Sequence, residues 1–325
     1  MIVDCHTHIW QSTQQVALRG GASPARPGRA LRPPEAAVWS QQAGIEQHMT
    51  ACKPVDVAFV LGLRSRHLGV DLANDLVADY AGRNPQRVIG FAGVDPLEGT
   101  KACDEVHRAK EQLGLRGIVI APAIGAMHPT HSSAMAVYEL AERLAMPVVI
   151  HNSPPLPASA HLEFARPYLL DEVARSFPGL RMVVAQMGYP WVDETLVLLA
   201  RHEHVYAEIS GVTQTPWLAL HCMQSAYERG VMEKLLLGSD FPASDAKSAI
   251  ESLYSLNLIV HGTNLPSVPR EQLRGIVERN SPALLGIDLA AGASAEPDAF
   301  AEAPEAPKAA GGPDAVVSRE PEQSV

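Results

Sequence analysis

Cysteine is scarce and scattered: Cys5, Cys52, Cys103 and Cys222 are the four in 325 residues. None forms a Cys-x-x-Cys pair, so neither a disulfide scaffold nor a cysteine zinc site is expected, and reduced thiols in a cytoplasmic protein fit better. Basic charge is also in deficit. Lys and Arg number 26 against 36 Asp and Glu, for a formal charge of -10. With no basic stripe, nucleic-acid binding is not expected. No apolar run reaches the length of a bilayer span. The N-terminal stretch lacks the basic region and apolar core of a secretory leader. The expected partner is therefore a small molecule rather than nucleic acid or a membrane. A homodimer is expected only from the frequency of that assembly among oligomers.

What the chain does have is apolar content, 46% of its residues, enough for a large core. Short β-rich runs recur at 2–9, 55–62, 87–94, 116–121, 147–152, 181–187, 204–210 and 234–240. Most are continuously apolar, as strands buried on both faces should be. Amphipathic helical stretches lie between them, among them 103–114, 134–145 and 190–202. Strand alternating with helix predicts a parallel α/β fold, and a (β/α)8 TIM barrel typically takes about 250 residues. One domain over 1–288 is expected. Residues 289–325, rich in Ala, Pro, Glu and Gly, can bury little and are expected to be a disordered tail. Residues 11–44 make a long Gly-, Pro- and Arg-rich connection after the first strand, either a lid or a plain insertion.

The opening stretch, MIVDCHTHIW, places His6 and His8 two apart in a strand. Side chains two apart share a face, and Asp4 is expected on that face too. Barrel active sites sit at the C-terminal ends of the strands. Strand five ends at His151 (VVIHNS) and strand eight at Asp240 (LLLGSDFP). Three imidazoles and a carboxylate at one mouth suit a divalent ion such as Zn2+, with Mn2+ as the alternative. Such an ion can acidify water to a pKa of about 7, with Asp240 exchanging the proton. The chain has 13 histidines, so no single one is informative; the shared position at strand ends is.

Several segments in order carry a family resemblance: DCHTHIW, NDLVADYAGRNPQRVIGFAGVDP, LGLRGIVIAP, MPVVIH, MGYPWVDE, VYAEISG, LLLGSDFP and NSPALLGI. Over about residues 2–287 the chain resembles the amidohydrolase-related family of the amidohydrolase superfamily. Within it, the group resembled includes aminocarboxymuconate-semialdehyde decarboxylase. The resemblance implies a distorted (β/α)8 barrel with one metal, commonly zinc, on His6, His8, His151 and Asp240. Two positions depart from the pattern. Binuclear relatives carry a carboxylated lysine, typically on strand four, but RGIVIAPA has none, which implies a mononuclear site. Relatives usually place a histidine at the end of strand six, where VVAQMGYP has Gln186. Glutamine hydrogen-bonds but carries no proton at neutral pH.

Three functions remain open at this level. A metal-dependent hydrolase needs least from strand six, since metal and Asp240 suffice. A non-oxidative decarboxylase matches the wider pattern. A catalytically silent binding protein would explain Gln186. His128 and His131, after strand four, are possible substitutes for the missing histidine, or simply solvated loop residues. Gln186, Arg64 and Trp10 are the candidate substrate contacts. Arg19, Arg26, Arg29, Arg32 and Arg66 are weaker candidates to pair with a substrate carboxylate. Glu208, if it points inward, would orient a ligating histidine.

Overall fold

Every apolar run read as a strand forms one. The computed structural model describes residues 1–16, 41–152 and 156–289. Its parallel strands are β1 (Val3–Thr7), β2 (Val57–Leu61), β3 (Val88–Gly93), β4 (Gly117–Ile120), β5 (Val148–Ile150), β6 (Met182–Val184), β7 (Val205–Glu208) and β8 (Leu235–Leu236). They pair in that order. A helix follows each in turn: α1 (Ile45–Ala51), α2 (Asn74–Arg83), α3 (Thr100–Glu111), α4 (Ser132–Arg143), α5 (Leu170–Ser176), α6 (Val192–Arg201), α7 (Pro216–Glu228) and α8 (Ala246–Ser255). Two more, α9 (Arg270–Val277) and α10 (Ser281–Leu284), complete the described chain. This is the (β/α)8 barrel. Among the described residues no helix is long and apolar enough to cross a membrane. Of the tail expected at 289–325, all but residue 289 lies outside the described residues, as does most of the long connection that follows β1.

Alternation sorts the strand residues into two cores. Phe59, Leu61, Phe91, Val119, Val149 and Val183 fill the barrel. Val60, Ile118, Ile120, Val148, Ile150 and Val184 face the helices. Each helix buries one stripe, as α6 does with Val192, Leu196, Leu198 and Leu199. Full burial of one such side chain is worth about 1.5–3 kcal/mol.

β6 and β8 are shorter than the sequence suggested, ending at Val184 and Leu236. Just beyond β6, Gln186, Met187 and Gly188 take φ of 50°, 53° and 64°, which ends that strand; Asp240, four residues beyond β8, takes 67°. Left-handed residues cannot continue a strand, and for non-glycine residues they are a strain found most often at functional sites.

The barrel closes between β1 and β8. Cys5 N–H donates to Leu237 O at 2.8 Å, Asp240 N–H to His6 O at 3.0 Å and His8 N–H to Phe241 O at 2.9 Å. Beside this seam β1 carries a bulge. Asp4 pairs with Ala58 and Thr7 with Val60, so three steps on β1 oppose two on β2. The bulge corrects one expectation. Asp4 and Thr7, paired with alternate residues of β2, face outward, while His6 turns inward. Bulges re-aim side chains next to active sites in this way. Asp4 holds the distortion: its Oδ1 accepts from His6 N–H at 3.2 Å and Ser239 N–H at 2.9 Å.

Candidate metal centre

The C-terminal ends of β1, β5 and β8 deliver His6, His8, His151 and Asp240 to one place. His6 Nε2 lies 3.1 Å from His8 Nε2, which lies 3.3 Å from His151 Nε2. The three rings are 0%, 3% and 8% exposed, and their ligand atoms all fall within 4.8 Å of one another. Asp240 Oδ1 stands 3.6 Å from His6 Nε2.

The far nitrogens fix the tautomers. His8 Nδ1 lies 2.7 Å from Leu61 O, a pure acceptor, so Nδ1 carries the hydrogen. His6 Nδ1 lies 2.9 Å from Glu208 Oε1 and is likewise the donor. Both Nε2 atoms of the neutral rings therefore present lone pairs to each other. Lone pairs at 3.1 Å repel unless a cation sits among them. That donor set fits a divalent metal. Without one, a proton takes the role. Burial opposes charge on His6, but Glu208, with help from Asp240 and Asp4, pushes its pKa up to about 9. Burial and the neighbouring His6 push His151 down to about 3 and hold His8 well below the usual histidine value.

Glu208 does point inward, and it is the hub of the site. Its Oε1 accepts from His6 Nδ1–H and, at 2.5 Å, from Gln186 N–H; its Oε2 accepts from Ser210 N–H at 2.7 Å. Such a carboxylate behind a ligating histidine fixes the ring and raises its basicity. Glycine is required nearby, since a Cβ on Gly238 would collide with Glu208 Oε2. Gln186 is 4% exposed, and its Nε2–H donates to Asp240 Oδ2 at 3.1 Å. The turn at Gly211, φ 67°, leaves it room: a Cβ there would stand 2.6 Å from Gln186 Oε1.

The other expected site residues within the described chain have partners of their own. Trp10 is 2% exposed and packs in the inner core, its indole N–H donating to Gln41 O at 2.9 Å. Arg64 pairs with Glu98 at 3.1 Å. With Arg66 it lines a cavity of about 620 Å³ at the ends of β2, β3 and β4, which none of the four clustered residues lines. His131 caps α4, accepting from Ser133 N–H at 3.2 Å. His128 Nδ1 accepts from Thr130 N–H at 3.2 Å. Arg19, Arg26, Arg29 and Arg32 lie outside the described residues. The signal for His48 in the sequence is an apolar stripe that it shares with Ile45 and Met49 on α1 and with Cys52 just beyond it.

Comparison with known proteins agrees with this architecture. The amidohydrolase family profile matches residues 3–287, and the chain belongs to that family. No curated protein matches it significantly. Among solved structures, the chain is similar to the probable 2-pyrone-4,6-dicarboxylic acid hydrolase of Acinetobacter baumannii, solved with citric acid. The identity is 17%, the TM-score 0.59, and the match covers 88% of this chain and 99% of that one. It is also similar to 5-carboxyvanillate decarboxylase of Novosphingobium aromaticivorans, solved with manganese and a nitrobenzoic acid, at 16% identity and TM-score 0.61, over 88% and 96%. A third is 2,6-dihydroxybenzoate decarboxylase of Rhizobium, at 15% and 0.59, over 88% and 98%. At these identities the likeness speaks for the fold.

Proposed function

We propose that the chain is a mononuclear metal-dependent hydrolase acting on a small organic substrate, with Asp240 as general base. His6, His8, His151 and Asp240 would hold the metal, Zn2+ first and Mn2+ second. When bound, a divalent ion supplies an acidified water and polarises a substrate oxygen. Asp240 takes the proton from the attacking water and returns it to the leaving group. Glu208 keeps His6 aimed with Nε2 inward.

The observation that carries this reading is the hydrogen bond from Gln186 Nε2–H to Asp240 Oδ2. The amide N–H donates to one carboxylate oxygen, while the other, Oδ1, stands 3.6 Å from His6 Nε2 on the side of the imidazoles. Gln186 orients the carboxylate and leaves proton transfer to it. A decarboxylase must instead deliver a proton to carbon, a step that would require Asp240 to be protonated first.

The second reading, decarboxylation, draws support from the structural neighbours, two of which bear that name and one of which was solved with manganese. Product analysis separates the two. Purified protein loaded with Zn2+ or Mn2+ is incubated with lactones, amides and aromatic carboxylates in ¹⁸O-labelled water. Hydrolysis puts the label into a product. Release of carbon dioxide with an organic product that carries no label would replace the first reading by the second.

A further inference from the structure

Directly behind the β1 bulge lies a second buried polar cluster. His48 of α1 is 0% exposed. Its Nε2 stands 2.8 Å from Thr7 Oγ1 and its Nδ1 3.0 Å from Tyr80 Oη. Thr7 Oγ1 lies 2.5 Å from Phe59 O. A carbonyl only accepts, so the Thr7 hydroxyl donates to Phe59 and receives His48 Nε2–H. His48 Nδ1 is then bare and accepts from the Tyr80 hydroxyl. The relay is fully paired and ties α1, β1, β2 and α2 together. The same imidazole packs edge-on against Phe241, with ring centres 5.3 Å apart at 83°.

The placement of these two contacts matters. Thr7 separates His6 from His8, and Phe241 follows Asp240. One side chain thus grips the immediate neighbours of three expected ligands, on both sides of the closing seam. β8 spans two residues, and beyond it the seam is held by three backbone hydrogen bonds around the Thr7–Phe241 bridge. We propose that His48 is a positioning residue for the metal centre, holding the β1–β8 seam through Thr7 and Phe241 so that His6, His8 and Asp240 converge. This rests on the metal reading above.

The test is Co2+ binding, followed by visible d–d absorption, which reports ligand geometry, beside the melting temperature of the metal-free form. Thr7→Val removes the hydroxyl at nearly constant volume, Thr7→Ser keeps it, and His48→Leu removes the relay. Thr7→Val and His48→Leu should each weaken Co2+ binding about 10-fold or more and alter the spectrum, and Thr7→Ser should restore both. If His48→Leu does not fold, the Thr7 pair decides alone. Native affinity and spectrum in folded Thr7→Val, whatever its melting temperature, would reduce His48 to an ordinary core histidine and overturn the proposal. A wild-type protein that binds no Co2+ would overturn the metal centre itself, a different and recognisable failure.

Discussion

Replacing Glu208 by glutamine keeps the shape of the hub and removes its charge. A carboxylate there accepts three hydrogen bonds on two oxygens. A carboxamide offers one oxygen, so its NH2 group must face a donor that has lost its acceptor, at roughly 1–3 kcal/mol for a buried group. The charge has a second effect. Burial alone would lower the His6 pKa, and Glu208 is the main force lifting it to about 9. At pH 7, metal binding must release that proton, a penalty of about 100-fold, roughly 3 kcal/mol. The variant escapes the penalty but loses the carboxylate that aims the ring, worth about 10–100-fold in affinity. The two effects oppose each other at pH 7, and only the second survives near pH 9. Zn2+ affinity measured by chelator competition across this range resolves them. Wild-type affinity should climb about tenfold per pH unit until it levels near 9, whereas Glu208→Gln should respond little to pH and bind more weakly at the top of the range. Parallel curves would refute the claim that Glu208 sets the proton affinity of His6. Equal affinity near pH 9 would refute its role in aiming the ring.

Three further outcomes follow from the same geometry. Purified wild type should carry near-stoichiometric metal and the His6→Ala/His8→Ala double variant almost none, by elemental analysis; a metal-free wild type that also refuses added Zn2+ and Mn2+ would end the metalloenzyme reading. Gln186→Leu removes the donor to Asp240 and should lower kcat about 10–100-fold with KM little changed; a rise in KM alone would make Gln186 a substrate contact instead. The metal-free protein should lose thermal stability as pH rises. The folded His6 pKa of about 9 exceeds its ordinary 6.5, so its contribution is complete below 6.5 and is lost through 9. His48 and His151, held near 3, are already neutral in that window; a melting temperature flat from about pH 6.5 to 9 would contradict this.

The barrel was legible because parallel strands buried on both faces write themselves as continuous apolar runs, and the period of two joined His6 to His8. Period two failed at Asp4, since a bulge inserts a residue without any mark in DCHTHIW. The end of β6 escapes the sequence for a related reason: nothing in VVAQMGYP announces that Gln186 is left-handed, as nothing in GSDFP announces it for Asp240. Those conformations are imposed by the Glu208 and seam contacts, which are tertiary. His48 was invisible because a histidine on an apolar helix stripe has many ordinary uses, and only the fold shows that Thr7 turns outward to meet it.

The seam has a consequence for how the molecule opens. Asp4 and Ser239, joined across it, are 235 residues apart in the chain. The seam thus joins the two ends of the barrel sheet, where each strand has a neighbour close in sequence on one side only. An ion shared by His6 and His8 on one side and Asp240 on the other would act as a rivet there. Amides of β1 and β8 would then be the first to exchange with solvent deuterium when the ion is withdrawn, ahead of β3 to β5 in the barrel wall.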